Sequence, residues 1–167
     1  DEGYLTFANV GGVDERTLPS TEVTVHGKED LWGVIGIKPN YLLEQGKTAK
    51  LKELAVDTGL SAEKVKELAA VGDSITLAQS VGRLGKKQFS GKSLDDRASV
   101  AAIMRVMKNI KDLDIDIDVY AVAAVQEEVG CRGGKTTAYG INPDMAVAID
   151  VCHGITPDNS DNAFEVG

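Results

Sequence analysis

With 167 residues, 43% of them hydrophobic and 5% aromatic, the chain is long enough for one domain or two small ones around a real core. Its net charge of −8, with Lys and Arg scattered rather than clustered, argues against a nucleic-acid or anionic-membrane partner, and no apolar run approaches the roughly 20 residues of a membrane span. Two cysteines, Cys131 and Cys152, are too few for a disulfide framework, so the expectation is reduced thiols in a cytoplasmic protein.

Residues 1–88 read as mostly β. Residues 4–10 alternate well enough for a strand, which Gly11-Gly12 breaks. Residues 22–26 (Glu-Val-Thr-Val-His) predict a second strand, closed by Gly27. A third runs over 31–38 and is ended by Pro39; Gly33 and Gly36 inside it mark a bend or bulge. Residues 40–50 carry no clear pattern. Residues 54–57 predict another strand, ended by Thr58-Gly59. Ser61 then caps a short helix to about residue 70, with Leu60 and Val65 placed as a hydrophobic staple. Gly72-Asp73 turns the chain into a strand over 74–78. Short strands with one short helix predict a small β-barrel-like domain.

The period changes after about Gly91. Val100, Ile103, Met104, Met107 and Ile110 follow i, i+3, i+4, i+7 spacing, which predicts an amphipathic helix over 97–111. Residues 117–125 end in a continuous apolar run, the signature of a strand buried on both faces. Gly133-Gly134 opens a shorter helix to about Tyr139, which Gly140 stops, and Asn142-Pro143-Asp144 turns into a strand over 145–150. Helix, strand, helix, strand is a piece of a βαβ sheet. Two strands cannot cover their own edges, so the remaining strands are expected outside this chain, which reads as a fragment of something longer. The expected fold is therefore α+β and α/β: a small β-barrel-like domain over 1–88, then part of an α/β catalytic sheet over 89–167.

The candidate chemistry lies at the ends of these elements. In open α/β sheets ligands bind beyond the carboxyl ends of the strands, where Glu127 and Glu128 stand. Asp95 and Asp96 precede the 97–111 helix, and Asp150 ends the 145–150 run. Each has a bland reading: solvated loop residues, acids suiting a helix N-terminus, an edge carboxylate near a turn. Together, three carboxylate sites at element ends read best as a hydrolytic metal centre, one neighbour of the Glu pair binding metal while the other acts as general base. Gly130, Gly133 and Gly134 favour a tightly folded loop beside them. His153 and His26 read as hydrogen-bonded structural residues rather than ligands, and Cys131 as packing.

At these motifs a family resemblance becomes visible. Residues 93–98 (Ser-Leu-Asp-Asp-Arg-Ala), 125–130 (Val-Gln-Glu-Glu-Val-Gly), Arg132-Gly133, 138–144 and 148–151 resemble the tetrahedral aminopeptidase or glutamyl aminopeptidase family, dinuclear-metal peptidases also described as endoglucanase-like. Gly11-Gly12 and residues 34–39 look similar too, so the resemblance covers nearly the whole chain.

The resemblance implies a zinc-peptidase-like fold and a metal-dependent aminopeptidase that removes N-terminal residues from peptides through a two-metal-activated water. It implies that Glu127 is the base, that Asp95 bridges two divalent metals (zinc or cobalt), that Glu128 and Asp150 each bind one metal, and that the Asp95–Asp96 bond is cis. Residues 1–88 would be the dimerisation domain through which homo-oligomers build large hollow assemblies. Neither His26 nor His153 matches the two histidine ligands of that family. The chain therefore carries part of a site, and alone it is expected to bind metal weakly and to be inactive. Two rival readings are a glycosidase using the paired carboxylates without metal and a non-catalytic assembly module.

Overall fold

The computed structural model describes residues 2–37 and 49–154 of the chain. It forms two compact units, Asp1–Phe89 and Ser90–Gly167. The end of the predicted third strand, at Lys38 and Pro39, lies outside the described residues.

In the first unit, β1 (Glu22–His26), β2 (Asp30–Ile37), β3 (Leu54–Asp57) and β4 (Ser74–Leu77) make one antiparallel sheet in the order β3-β2-β1-β4. Period-2 alternation decides which face is buried. Val23 lies opposite Gly33 and Leu77, and Val25 opposite Leu31 and Ile75, so these residues share one side of the sheet. On that side Val23, Val25, Leu31, Ile35, Leu54 and Val56 close a core with Leu18, Ala49 and Leu68. Each buried Val, Leu or Ile side chain among them contributes about 1.5–3 kcal/mol by leaving water. Gly33 falls in the same row. A Cβ there would stand 2.7 Å from the Val56 side chain and 3.0 Å from the Asp57 carbonyl, so glycine permits the close packing of β3 on β2.

Helix α1 (Ala62–Leu68) is started by Ser61, whose hydroxyl accepts from the Lys64 N–H at 3.4 Å, and it buries Val65 and Leu68. The strand expected over 4–10 reduces to a single bridge, Leu5 to Val56, with hydrogen bonds of 2.9 and 2.8 Å. β3 is only four residues long, so it offers little more edge to pair with. Further along, the Asn9 amide donates to the Gly11 carbonyl at 3.1 Å, a local turn that competes with a ladder. Beyond β4 stands a hairpin not anticipated from sequence, β5 (Gly82–Leu84) with β6 (Gln88–Ser90). The Arg83 guanidinium lies 5.7 Å from the Phe89 ring centroid across it.

In the second unit, α2 (Leu94–Ile110) and α3 (Arg132–Ile141) are the regular elements among the described residues. The apolar stripe Val100, Ile103, Met104 and Met107 of α2 faces Ala121, Val122 and Ala123 across one shallow apolar trough. α3 runs through Gly140, which weakens a helix by about 1 kcal/mol without ending it. The stop is Asn142, left-handed at φ 51°, whose N–H bonds the Ala138 carbonyl at 2.8 Å.

Two expectations are corrected here. Residues 117–125 and 145–150 are not in a ladder, and the first run is not buried: Tyr120 is 64% exposed and Val125 67%, while Val147 in the second is 79% exposed. A strand exists only with a neighbour on which to place its N–H and C=O groups. No strand among the described residues flanks either run. The fold is a mixed one, helices with antiparallel sheets, of the α+β kind. No helix among the described residues is long and apolar enough to cross a membrane.

Candidate active site

The loop between Val125 and α3 is closed by its own backbone. Gly130 and Cys131 both donate their N–H to the Glu127 carbonyl at 2.9 Å, Arg132 donates to the Gln126 carbonyl at 3.2 Å and Gly133 to the Val125 carbonyl at 2.9 Å. Three positive φ angles make that folding possible: Gln126 at 56°, Gly130 at 115° and Cys131 at 53°. The second glycine of the motif has a separate reason. Gly133 is buried, and a Cβ on it would lie 2.5 Å from both the nitrogen and the oxygen of Val125. Backbone cannot yield there, so glycine seats the first turn of α3 on the end of the 117–125 run.

Glu127 and Glu128 are exposed on this loop. The Cys131 thiol donates to Glu127 Oε1 at 3.4 Å. That hydrogen bond and the Glu127 charge push the thiol above its ordinary pKa, burial and the Asp150 charge add to the rise, and Lys135 opposes it. Asp150 is exposed, and its carboxylate accepts from the Val151 N–H at 2.8 Å. Glu128 accepts no hydrogen bond from the described residues.

Asp95 and Asp96 divide their work. Their peptide bond is cis, as the resemblance implied. Neither has helical φ and ψ, so the helix proper starts after them. Asp96 Oδ1 accepts from the N–H of buried Ser99 at 2.9 Å, an N-cap bond that satisfies a first-turn donor of α2. The bland reading of a capping acid is therefore right for Asp96. Asp95 is exposed and accepts no hydrogen bond from the described residues. His26 is held within the first unit, its Nδ1 at 2.8 Å from Asp30 and its Nε2 at 2.9 Å from Thr76.

Carboxylate oxygens such as these suit divalent cations. A site nevertheless needs several donors converging on one point, and among the described residues no three His, Cys, Asp or Glu side chains do so. The described residues do not by themselves make a metal site. Sequence reasoning missed the thiol on Glu127; the spacing of four residues between them was the only signal.

The family model for the M42 glutamyl aminopeptidases matches the chain over residues 1–167. The chain belongs to the M42 glutamyl aminopeptidase family. The lysyl aminopeptidase of Pyrococcus furiosus is 30% identical over 165 residues, covering 95% of this chain and 47% of that protein. Among solved structures, an aminopeptidase from the archaeon Desulfurococcus kamchatkensis superposes with a TM-score of 0.83 at 40% identity, covering 91% of this chain and 42% of that one. The TET1 peptidase of Pyrococcus horikoshii superposes with a TM-score of 0.82 at 35% identity, over 95% of this chain and 50% of that one. The chain therefore spans about half the length of the M42 relatives it matches.

Proposed function

We propose that the whole protein to which this chain belongs is a metal-dependent aminopeptidase that removes N-terminal residues from peptides. In this reading Glu127 is the general base, and Asp95, Glu128 and Asp150 are the carboxylates of this chain that would help to hold divalent ions, zinc or cobalt, in the whole protein. Ions held there would polarise the scissile carbonyl and ease ionisation of water at neutral pH. Glu127 would take the proton from the attacking water and return one to the departing amine, the work of a carboxylate general base. The observation that carries the reading is the division of the carboxylates. Asp96 is engaged as a helix cap, whereas Asp95 and Glu128 accept no hydrogen bond from the described residues and stand exposed as open donors. The remaining ligands, and the strands that would pair with 117–125 and 145–150, then come from the rest of the whole protein.

Residues 1–88 are proposed as the association domain and 89–167 as the chain's part of the catalytic domain. Support comes from the Pyrococcus horikoshii relative, which can assemble into a tetrahedron or a large octahedral shell. A cytoplasmic homo-oligomer of dimers acting on peptides follows from this reading. The test uses the intact protein on a free peptide and its N-acetylated twin. Release of the N-terminal residue from the free peptide only, abolished by a chelator and restored by zinc or cobalt, is the expected result. Chelator-resistant hydrolysis of a β-glucan would replace it with the glycosidase reading.

A further inference from the structure

We infer that Cys131 is a positioning residue for Glu127, its thiol orienting the carboxylate on the loop; this rests on the aminopeptidase reading above, in which Glu127 is the base. Three observations converge. The thiol donates to Glu127 Oε1 at 3.4 Å. Cys131 is the residue before α3, yet its side chain makes no capping bond to the helix, so the Sγ is turned to the acid rather than to the helix N-terminus. Its main chain is tied to the same residue, its N–H donating to the Glu127 carbonyl at 2.9 Å, and it is held at φ 53°, where a non-glycine residue is uncommon. Backbone and side chain of Cys131 thus grip one residue from two sides. A carboxylate on a loop without such a bond samples several rotamers, and a base must be in hydrogen-bond reach of the proton it takes. Serine at this position can donate the same bond; alanine cannot.

The experiment has two arms on the intact protein. In the first, steady-state kinetics compare wild type with Cys131→Ala and Cys131→Ser. The expected result is kcat lowered about tenfold in Cys131→Ala with KM nearly unchanged, and Cys131→Ser restored to within about threefold, in line with the loss and return of one hydrogen bond to a charged group. Equal losses in both variants, or none in the alanine variant, would overturn the inference, because packing alone does not distinguish them in this way. In the second arm, iodoacetamide labelling of Cys131, read by peptide mass, compares wild type with Glu127→Gln. Removing the carboxylate takes away the largest cause of the raised thiol pKa, so labelling is expected to run several-fold faster. An unchanged rate removes the contact and the inference with it. If wild type has no aminopeptidase activity, the proposed reaction and the positioning role fall together, while faster labelling would still establish the contact.

Discussion

Replacing Gly133 by alanine is expected to destabilise the second unit and to disturb Glu127, and the magnitude can be worked from the structure. The added methyl would sit 2.5 Å from Val125 N and Val125 O, where only backbone movement can make room. Overpacking of this kind costs about 1–3 kcal/mol. Displacing α3 also weakens the 2.9 Å bond from Gly133 N–H to the Val125 carbonyl, worth about 1 kcal/mol. Against this stands the helix-propensity gain of Gly→Ala, about 1 kcal/mol. The net expectation is a loss of about 1–3 kcal/mol, with a lower thermal midpoint. Gly134 provides the control one residue away: among the described residues outside its own helix turn, nothing lies within 4 Å of where a Cβ would stand, so Gly134→Ala is expected to be neutral or stabilising by up to about 1 kcal/mol. Thermal unfolding of the intact protein carrying each variant, with activity measured in parallel, decides it. If both variants unfold together with wild type, the seating of α3 on Val125 is not what holds the loop.

Three further outcomes follow from the same geometry. Asp96→Ala should cost about 1 kcal/mol in thermal unfolding through loss of the Ser99 cap, with Asp96→Asn much milder, since asparagine also caps. With metal removed, Asp95→Ala should stay within about 0.5 kcal/mol of wild type, as for surface substitutions generally, yet the variant should hold less metal by elemental analysis when loaded; the reverse pattern would exchange the two roles. Asp14 is held at about 2 by hydrogen bonds from Arg16, whose guanidinium lies at 2.6 Å. Because that pKa is depressed, the interaction is present above the ordinary carboxylate pKa and is lost as pH falls toward about 2, so an NMR titration should find Asp14 protonating at about 2 and moving back toward 3.8 in Arg16→Ala.

Where neighbours are local, the sequence was readable. Alternating Val23 and Val25 located β1, Ser61 and Val65 located α1, and the spacing of Val100, Ile103, Met104 and Met107 located α2 with its apolar side. The runs 117–125 and 145–150 failed for the opposite reason. Their hydrophobicity states a need for cover, but strand formation depends on distant partners that a local pattern does not contain. The site divides similarly. Glu127 and Glu128 were evident as charges closing an apolar run, and Gly133 as a loop signal. The thiol bond from Cys131 depended on a left-handed φ at a non-glycine residue, which sequence does not announce. The capping role of Asp96 as against the open position of Asp95 depends on which of the two carboxylates the Ser99 N–H meets, which two adjacent aspartates in a sequence do not distinguish.

The most direct test of the central claim is metal content and N-terminal residue release by the intact protein, with and without Glu127→Gln. The account predicts about two divalent ions per chain in both forms, and activity in the wild type that falls by about 10²–10⁴ in the variant, the usual worth of a general base. A wild type without metal, or a variant that remains active, would contradict the roles given to these carboxylates.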